Sequence, residues 1–220
     1  MFLLFFANFL EKQSKVIKRF IRQSKYKKVL KKYCFVDSPK TKKIVIRYNP
    51  YERTDFLLID KLIQSNIINV NDKILDIGCG TGLFLSYLST KGFKNLSGIE
   101  FDKELFDKAV FNSNILQKNN FHSLNLYNVD ALTFTNIDDY DCFYFFNTFF
   151  DKDTYLEWFS FLKDSLHRNN RLVKLIFLFP TISVLHAVSY CDWIKEKDRV
   201  ISKSQSCWRC MNFAVYEASL

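Results

Sequence analysis

Residues 73–88 read KILDIGCGTGLFLSYL. A short apolar run, Lys73 to Asp76, gives way to glycines at alternate positions, Gly78, Gly80 and Gly82, and then to Leu83 to Lys91, whose apolar spacing is helical. The order is strand, glycine turn, helix. The 220-residue chain has only five glycines, at 78, 80, 82, 92 and 98, all within 21 residues. Glycine loses more backbone entropy on folding than any other residue, so a chain that otherwise avoids it uses it where positive φ or close approach to a ligand demands it. The loop Gly78, Cys79, Gly80 and Gly82 is therefore expected to cradle a ligand at a helix start.

Outward from that loop the segments alternate in type. Asp55 to Gln64 is predicted helical, Asn95 to Glu100 a strand, Lys103 to Gln117 a helix, and Leu124 to Val129 and Cys142 to Phe146 further strands. Asp153 to Leu166 reads as helix, Leu172 to Phe179 as strand and Phe213 to Glu217 as a last strand. Strands alternating with helices predict an α/β fold with a doubly wound, mostly parallel sheet, which binds ligands at the carboxyl ends of its strands. No internal repeat is apparent.

Two details of the loop bear on the ligand. The dinucleotide fingerprint is GxGxxG, and here the third glycine comes one place early, with Leu83 after Gly82, which disfavours NAD. Asp76, two residues before Gly78, puts a carboxylate where a pyrophosphate is repelled and a cation attracted. S-adenosylmethionine (SAM), with an ammonium and a sulfonium, is such a cation.

LDIGCGTG resembles the first motif of class I SAM-dependent methyltransferases, in which an acid ends a strand and GxGxG follows. The resemblance covers roughly residues 45 to 217 and implies a seven-stranded Rossmann-like sheet with SAM as cofactor. It implies that Glu100, in LSGIEFD, binds both ribose hydroxyls, that Phe101 flanks the adenine face, and that Asp130 and Ala131, in NVDALTF, stand beside the adenine. It further implies that Asn147, at the end of DCFYFFNTFF, faces the methyl group. The stretch is similar to the Asn-Pro-Pro-aromatic motif of amino-directed methyltransferases, with Thr148 and Phe149 in place of both prolines. Tyr48 and Tyr51, in RYNPYERTD, are candidates to close over the cofactor. The acceptor, an N- or O-nucleophile on a glycan or lipid-linked intermediate, a protein or a nucleic acid, stays open. A SAM-binding scaffold without catalysis is the alternative.

Composition sets the outer limits. With 48% hydrophobic and 25% charged residues the chain is folded, and its length suits one domain with an extension. The net charge of +9 is concentrated: residues 1–46 hold 13 Lys and Arg against Glu11 and Asp37, and the other 174 carry 19 basic against 21 acidic residues. Residues 1–36 are read as a basic helical arm, 37–46 as a linker and 47–220 as the catalytic domain. From Val16 to Tyr33 apolar residues recur at helical spacing among lysines and arginines, so residues 12–43 are candidates for contact with an anionic membrane or other polyanion. The opening MFLLFFANFL is about half a bilayer span, and its positive charge follows rather than precedes it, unlike a secretory signal. The expected location is cytoplasmic with reduced cysteines, peripheral to the inner membrane face if the arm binds lipid. Cys207 and Cys210 have the spacing of half a zinc site without a second pair, and His122, His167 and His186 are isolated, so no metal is expected.

Overall fold

The structure is a computed structural model that describes residues 21–38, 47–52, 55–201 and 211–220. The first ten residues, Cys207 and Cys210 lie outside the described residues, as does the basic segment before residue 21. Helix α1 spans residues 21–33. After it come α2 (Phe56–Gln64), β1 (Ile74–Ile77), α3 (Leu83–Ser89), β2 (Leu96–Ile99), α4 (Lys103–Lys118), β3 (Asn125–Tyr127) and β4 (Cys142–Phe146). Helix α5 (Lys152–Arg168), β5 (Val173–Leu178), α6 (Ile182–Ser189), β6 (Ile194–Ile201) and β7 (Met211–Ala218) complete the order.

The strands form one seven-stranded sheet in the order β3-β2-β1-β4-β5-β7-β6. The first five are parallel, while β7 runs antiparallel between β5 and β6. Alternate residues of each central strand serve opposite faces, as the two-residue period requires. Ile74, Cys142, Tyr144 and Ile176 join the core under α1, α2 and α3, whereas Leu75, Phe143, Phe145 and Phe177 join the core under α5 and α6. Buried on both faces, these strands read as continuous apolar runs. The second core is aromatic: Trp158 stands edge-on to Phe143 and Phe145, with ring centroids 5.3 and 4.9 Å apart.

Helices α2, α4, α5 and α6 each start on a side chain that accepts orphan N–H groups. Asp55 accepts from Leu57 in α2, Asp102 from Glu104 and Leu105 in α4, Asp151 from Thr154 in α5, and Thr181 from Val184 in α6. Asp55, Lys73 and Asn95, expected inside elements, fall just before them instead.

Two elements were not foreseen. Strand β6 (IKEKDRVI) is an edge strand whose residues 195–199 are exposed, and its charges blunt the edge while hiding the alternation that signals a strand. Helix α6 (ISVLHAVS) is eight residues long and apolar on most sides, too short and too uniform to show a period.

Helix α1 packs on the body. Val29 and Phe35 enter the first core, Arg22 pairs with Asp55 at 3.0 Å, and Lys25 pairs with Asp60. Lys27, Lys28, Lys31 and Lys32 stay exposed. Among the described residues Cys34, Cys79, Cys142 and Cys191 are free thiols, and no helix is long and apolar enough to cross a membrane.

Candidate functional site

Strand order reverses between β1 and β4, so the loops leaving their carboxyl ends part and open a crevice. A cleft open to solvent lies there. Of the residues expected at the cofactor, Asp76, Gly78, Cys79, Glu100, Phe101 and Ala131 line it, and so does Asn147.

The glycine loop is shaped by two close approaches. Gly80 has φ +56°, and an added Cβ there would overlap the ring of Tyr51, which lies across the loop. Gly98, in β2, lets Cys79 and Leu85 come so near that an added Cβ would sit 2.8 Å from each. The spare glycine in the strand is thus explained by packing of the loop and α3 against β2. Gly82 stands at the N-cap of α3.

Glu100 ties the loop down. Its Oε2 accepts the Gly80 N–H at 2.8 Å and its Oε1 the Asp102 N–H at 2.8 Å. Each oxygen has a second lone pair, so the carboxylate still has room for two hydroxyl donors. Burial raises its pKa, while hydrogen bonds from backbone N–H groups, those of Asp102 and Gly80 foremost, oppose the rise.

Asp76 is buried beside it. Burial first, and the Glu100 charge second, push its pKa well above the ordinary carboxylate range. Across the β1–β4 ladder Asp76 pairs with Tyr144, which also lines the cleft and whose buried hydroxyl has no hydrogen-bond partner among the described residues. The described lining holds four carboxylates, Glu52, Asp76, Glu100 and Asp102, and no Lys, Arg or His. In a chain of net charge +9 such a cleft is built for a cation carrying hydrogen-bonding groups. The ammonium, sulfonium and ribose hydroxyls of SAM fit that donor set.

A wall is added from outside the sheet. Residues 47–50 run beside 147–150: Asn49 N–H donates to Thr148 O at 3.1 Å, Phe150 N–H to Arg47 O at 3.0 Å, and Tyr48 bridges Phe149. Tyr48 also stacks on Phe101, centroids 4.6 Å apart, and donates its hydroxyl to Asp130. Tyr48 and Tyr51 both line the cleft. Asp130 does not line it: one of its oxygens accepts from Tyr48 and from Leu132 N–H, so this carboxylate holds the turn after β3 and positions the tyrosine.

Asn147 sits at φ +53°, a left-handed conformation that asparagine tolerates better than most residues. Its Nδ2 donates to Pro50 O at 3.0 Å. A carbonyl can only accept, so the amide nitrogen must face Pro50 and Oδ1 is left as an acceptor. Thr148, where the related motif has proline, donates its hydroxyl to Ile77 O at 2.7 Å and packs on Gly78. The hydroxyl thereby locks the end of β4 to the end of β1.

Two contributors were not anticipated. Asp37 accepts hydrogen bonds from Tyr26, Tyr51 and Thr81, the last at 3.1 Å. Asn112, fully buried in α4, receives Val36 N–H at 2.7 Å and donates to Val36 O and Thr81 O at 2.8 and 2.9 Å. A buried asparagine in a helix interior was the available signal for the last of these contacts.

Known proteins share this fold. A family model described as a methyltransferase domain matches residues 51–207. EEF1A lysine methyltransferase 2 of Danio rerio is 36% identical over 70 residues, 32% of this chain and 29% of that protein. Its human counterpart is 24% identical over 136 residues, 61% of this chain and 54% of that protein, so the chain matches about half the length of these relatives or less. Among solved structures, the SAM-bound magnesium protoporphyrin IX methyltransferase of Synechocystis aligns with TM-score 0.53 at 12% identity, covering 74% of this chain and 77% of that one. The cyclase SpnF aligns equally well, with TM-score 0.52 at 12% identity over 80% of this chain and 88% of its own. The fold alone is therefore shared with a protein named for other chemistry. The family match spans most of the chain and includes its glycine loop and acidic strand ends, and on that ground the protein belongs to the class I SAM-dependent methyltransferases.

Proposed function

We propose that this chain transfers a methyl group from SAM to an amine, and that the amine is a lysine of a protein. The observation that carries the reading is the free Oδ1 of Asn147 at the mouth of a cleft whose charged side chains are all carboxylates, an acceptor for the N–H of an amine. The names of the two curated relatives favour a protein lysine over a glycan, a lipid-linked intermediate or a nucleic acid.

In this reading Asp76 and Glu100 hold the cationic and ribose parts of the cofactor, Phe101 and Ala131 flank its adenine, and the loop of Gly78, Cys79, Gly80 and Gly82 keeps its backbone close. Asp130 acts through Tyr48. The chemistry the cofactor supplies when bound is an electrophilic methyl group displaced in one step by a nucleophile. Alignment and exclusion of water are then what the protein contributes. Asn147 Oδ1 orients the amine, and Phe146 and Tyr48 shield it. Burial disfavours the ammonium form, which leaves the lone pair free to attack. With SAM bound, the methyl group would pass from its sulfur to the amine nitrogen, and the proton lost from that nitrogen would go to solvent.

Beside this mouth stand Phe150 and Phe179, 68% and 39% exposed, and Ile182 at the start of α6, 60% exposed. Phe179 holds φ +51°, a strained conformation for a bulky residue, with its ring 6.2 Å from Phe146. That apolar rim suits a polypeptide presenting lysine among apolar neighbours. The exposed lysines of α1 support a second contact, with an anionic membrane or other polyanion, through the segment 12–43.

The test is incubation of the protein and methyl-labelled SAM with cell extract, followed by acid hydrolysis. Labelled methyl-lysine is the expected product. Label confined to lipid, glycan or nucleic acid would overturn the acceptor assignment, and SAM binding with no labelled product would favour a scaffold.

A further inference from the structure

Residues 36–38 follow α1 across the top of the glycine loop. Val36 is held by Asn112, which also holds Thr81 O, and Lys108 donates to the buried Ser38 at 2.9 Å. Between them Asp37 gathers three hydroxyls: Tyr26 from α1 on one oxygen, Tyr51 and Thr81 on the other. Tyr51 and Thr81 also lie 3.0 Å apart, oxygen to oxygen. The Tyr51 ring covers Gly80 and lines the cleft, and Thr81 lies inside the loop. The helical arm, the segment over the cleft and the cofactor loop thus meet at one carboxylate.

We propose that Asp37 is a positioning residue for the cofactor site, fixing Tyr51 over the glycine loop so that docking of residues 21–38 strengthens SAM binding. This rests on the methyltransferase reading. Hydrogen bonds to a charged acceptor are short and directional, and a tyrosine hydroxyl held this way fixes the whole ring. A ring free to swing off Gly80 leaves one wall of the cleft undefined, and the cofactor must then order it on binding. Coupling of this kind is reciprocal: whatever factor the clamp contributes to SAM affinity, SAM returns to the stability of the clamp.

The experiment is calorimetric titration of the full chain with SAM for wild type, Asp37→Ala, Asp37→Asn, Tyr51→Phe and the Asp37→Ala/Tyr51→Phe double variant. Coupling between sites spans about 5- to 150-fold, so the Kd of Asp37→Ala is expected to rise at least about fivefold, with Asp37→Asn between it and wild type. The double variant is expected to lose far less than the product of the two single losses, because both remove one contact. Hydrogen exchange on wild type gives a second readout: the Val36 amide should slow when SAM is added. A purely structural Asp37 would leave that amide indifferent to SAM. A Kd within twofold of wild type in Asp37→Ala, losses that multiply in full, or a Val36 amide unaffected by SAM would overturn the proposal. Should Asp37→Ala fail to fold, Asp37→Asn and the exchange measurement decide it. Wild-type protein that binds no SAM overturns the methyltransferase reading as well, whereas normal wild-type binding with unaltered variants overturns this inference alone.

Discussion

The Glu100 carboxylate accepts the Gly80 N–H at 2.8 Å, so the acidic residue that directly follows one strand holds the loop that leaves its neighbour. Strands β1 and β2 are adjacent and parallel, which puts the two loops within reach of each other. One side chain therefore does two jobs, ordering the loop with one lone pair of each oxygen and facing the cleft with the other.

Glutamine at that position separates the jobs. Glu100→Gln keeps the size but offers a single oxygen, so either Gly80 or Asp102 N–H must face an amide NH2. Hydrogen bonds to charged groups are worth about 1.5–3 kcal/mol each. SAM affinity is expected to fall at least about tenfold, which corresponds to about 1.4 kcal/mol. Unchanged affinity by calorimetry would remove Glu100 from the ribose site.

Asp76 should show opposite effects with and without cofactor. Burial and the Glu100 charge make its ionised form costly. Asp76→Asn removes that cost and is expected to raise the stability of the ligand-free protein by about 1 kcal/mol, or about 2–4 °C in Tm. The same change takes away the counter-charge for a cationic ligand, so the additional Tm rise on adding SAM should vanish. Thermal scans with and without SAM check both signs. A variant less stable than wild type yet still shifted by SAM would refute the assignment.

The raised pKa values of Asp76 and Glu100 also predict how binding depends on pH. In the ligand-free protein both carboxyls hold protons more tightly than in the unfolded chain, where their pKa values are about 3.9 and 4.3. Their contribution to ligand-free stability therefore declines as pH rises from those values through the raised ones. A cationic ligand favours the ionised forms, so within that window binding releases protons and SAM affinity rises with pH. Calorimetry in two buffers of different ionisation enthalpy would count those protons. Affinity that is flat or falls with rising pH across the window would show that these carboxyls do not face the cation.

How far this was legible depends on how local the signals are. Strand β1, the glycine loop and α3 are continuous in sequence, and Ile74 to Ile77 are all buried, so the pattern of apolar run, glycines and helix was direct. Asn147 and Glu100 could be placed at the cleft from the sequence because each directly follows a readable strand. Asp37 was not, since Tyr26, Tyr51 and Thr81 lie 11, 14 and 44 residues away and a short polar stretch with Pro39 looks like a linker. Its role follows only from the docking of α1, for which Val29 and Phe35 supply the apolar contact. Asp130 stood at the expected place in sequence, but its bond to Tyr48 depends on the segment 47–50 running back beside 147–150, which no periodicity reports.

Asn147 offers the sharpest separation of chemistry from structure. Its left-handed backbone, φ +53°, is one that glycine adopts without penalty, so Asn147→Gly keeps the turn while deleting the amide. The loss of the bond to Pro50 O leaves an exchangeable contact at a part-buried site, worth about 1 kcal/mol at most. In the proposed reading the cofactor is held by the ends of β1 and β2 and their loops, so the Kd for SAM is expected to stay within about twofold. An acceptor held about 1 Å out of line loses about 100-fold in rate, and kcat/KM should fall by that order. Loss of SAM affinity together with activity would make Asn147 a cofactor contact, and full activity would move the acceptor site away from the end of β4.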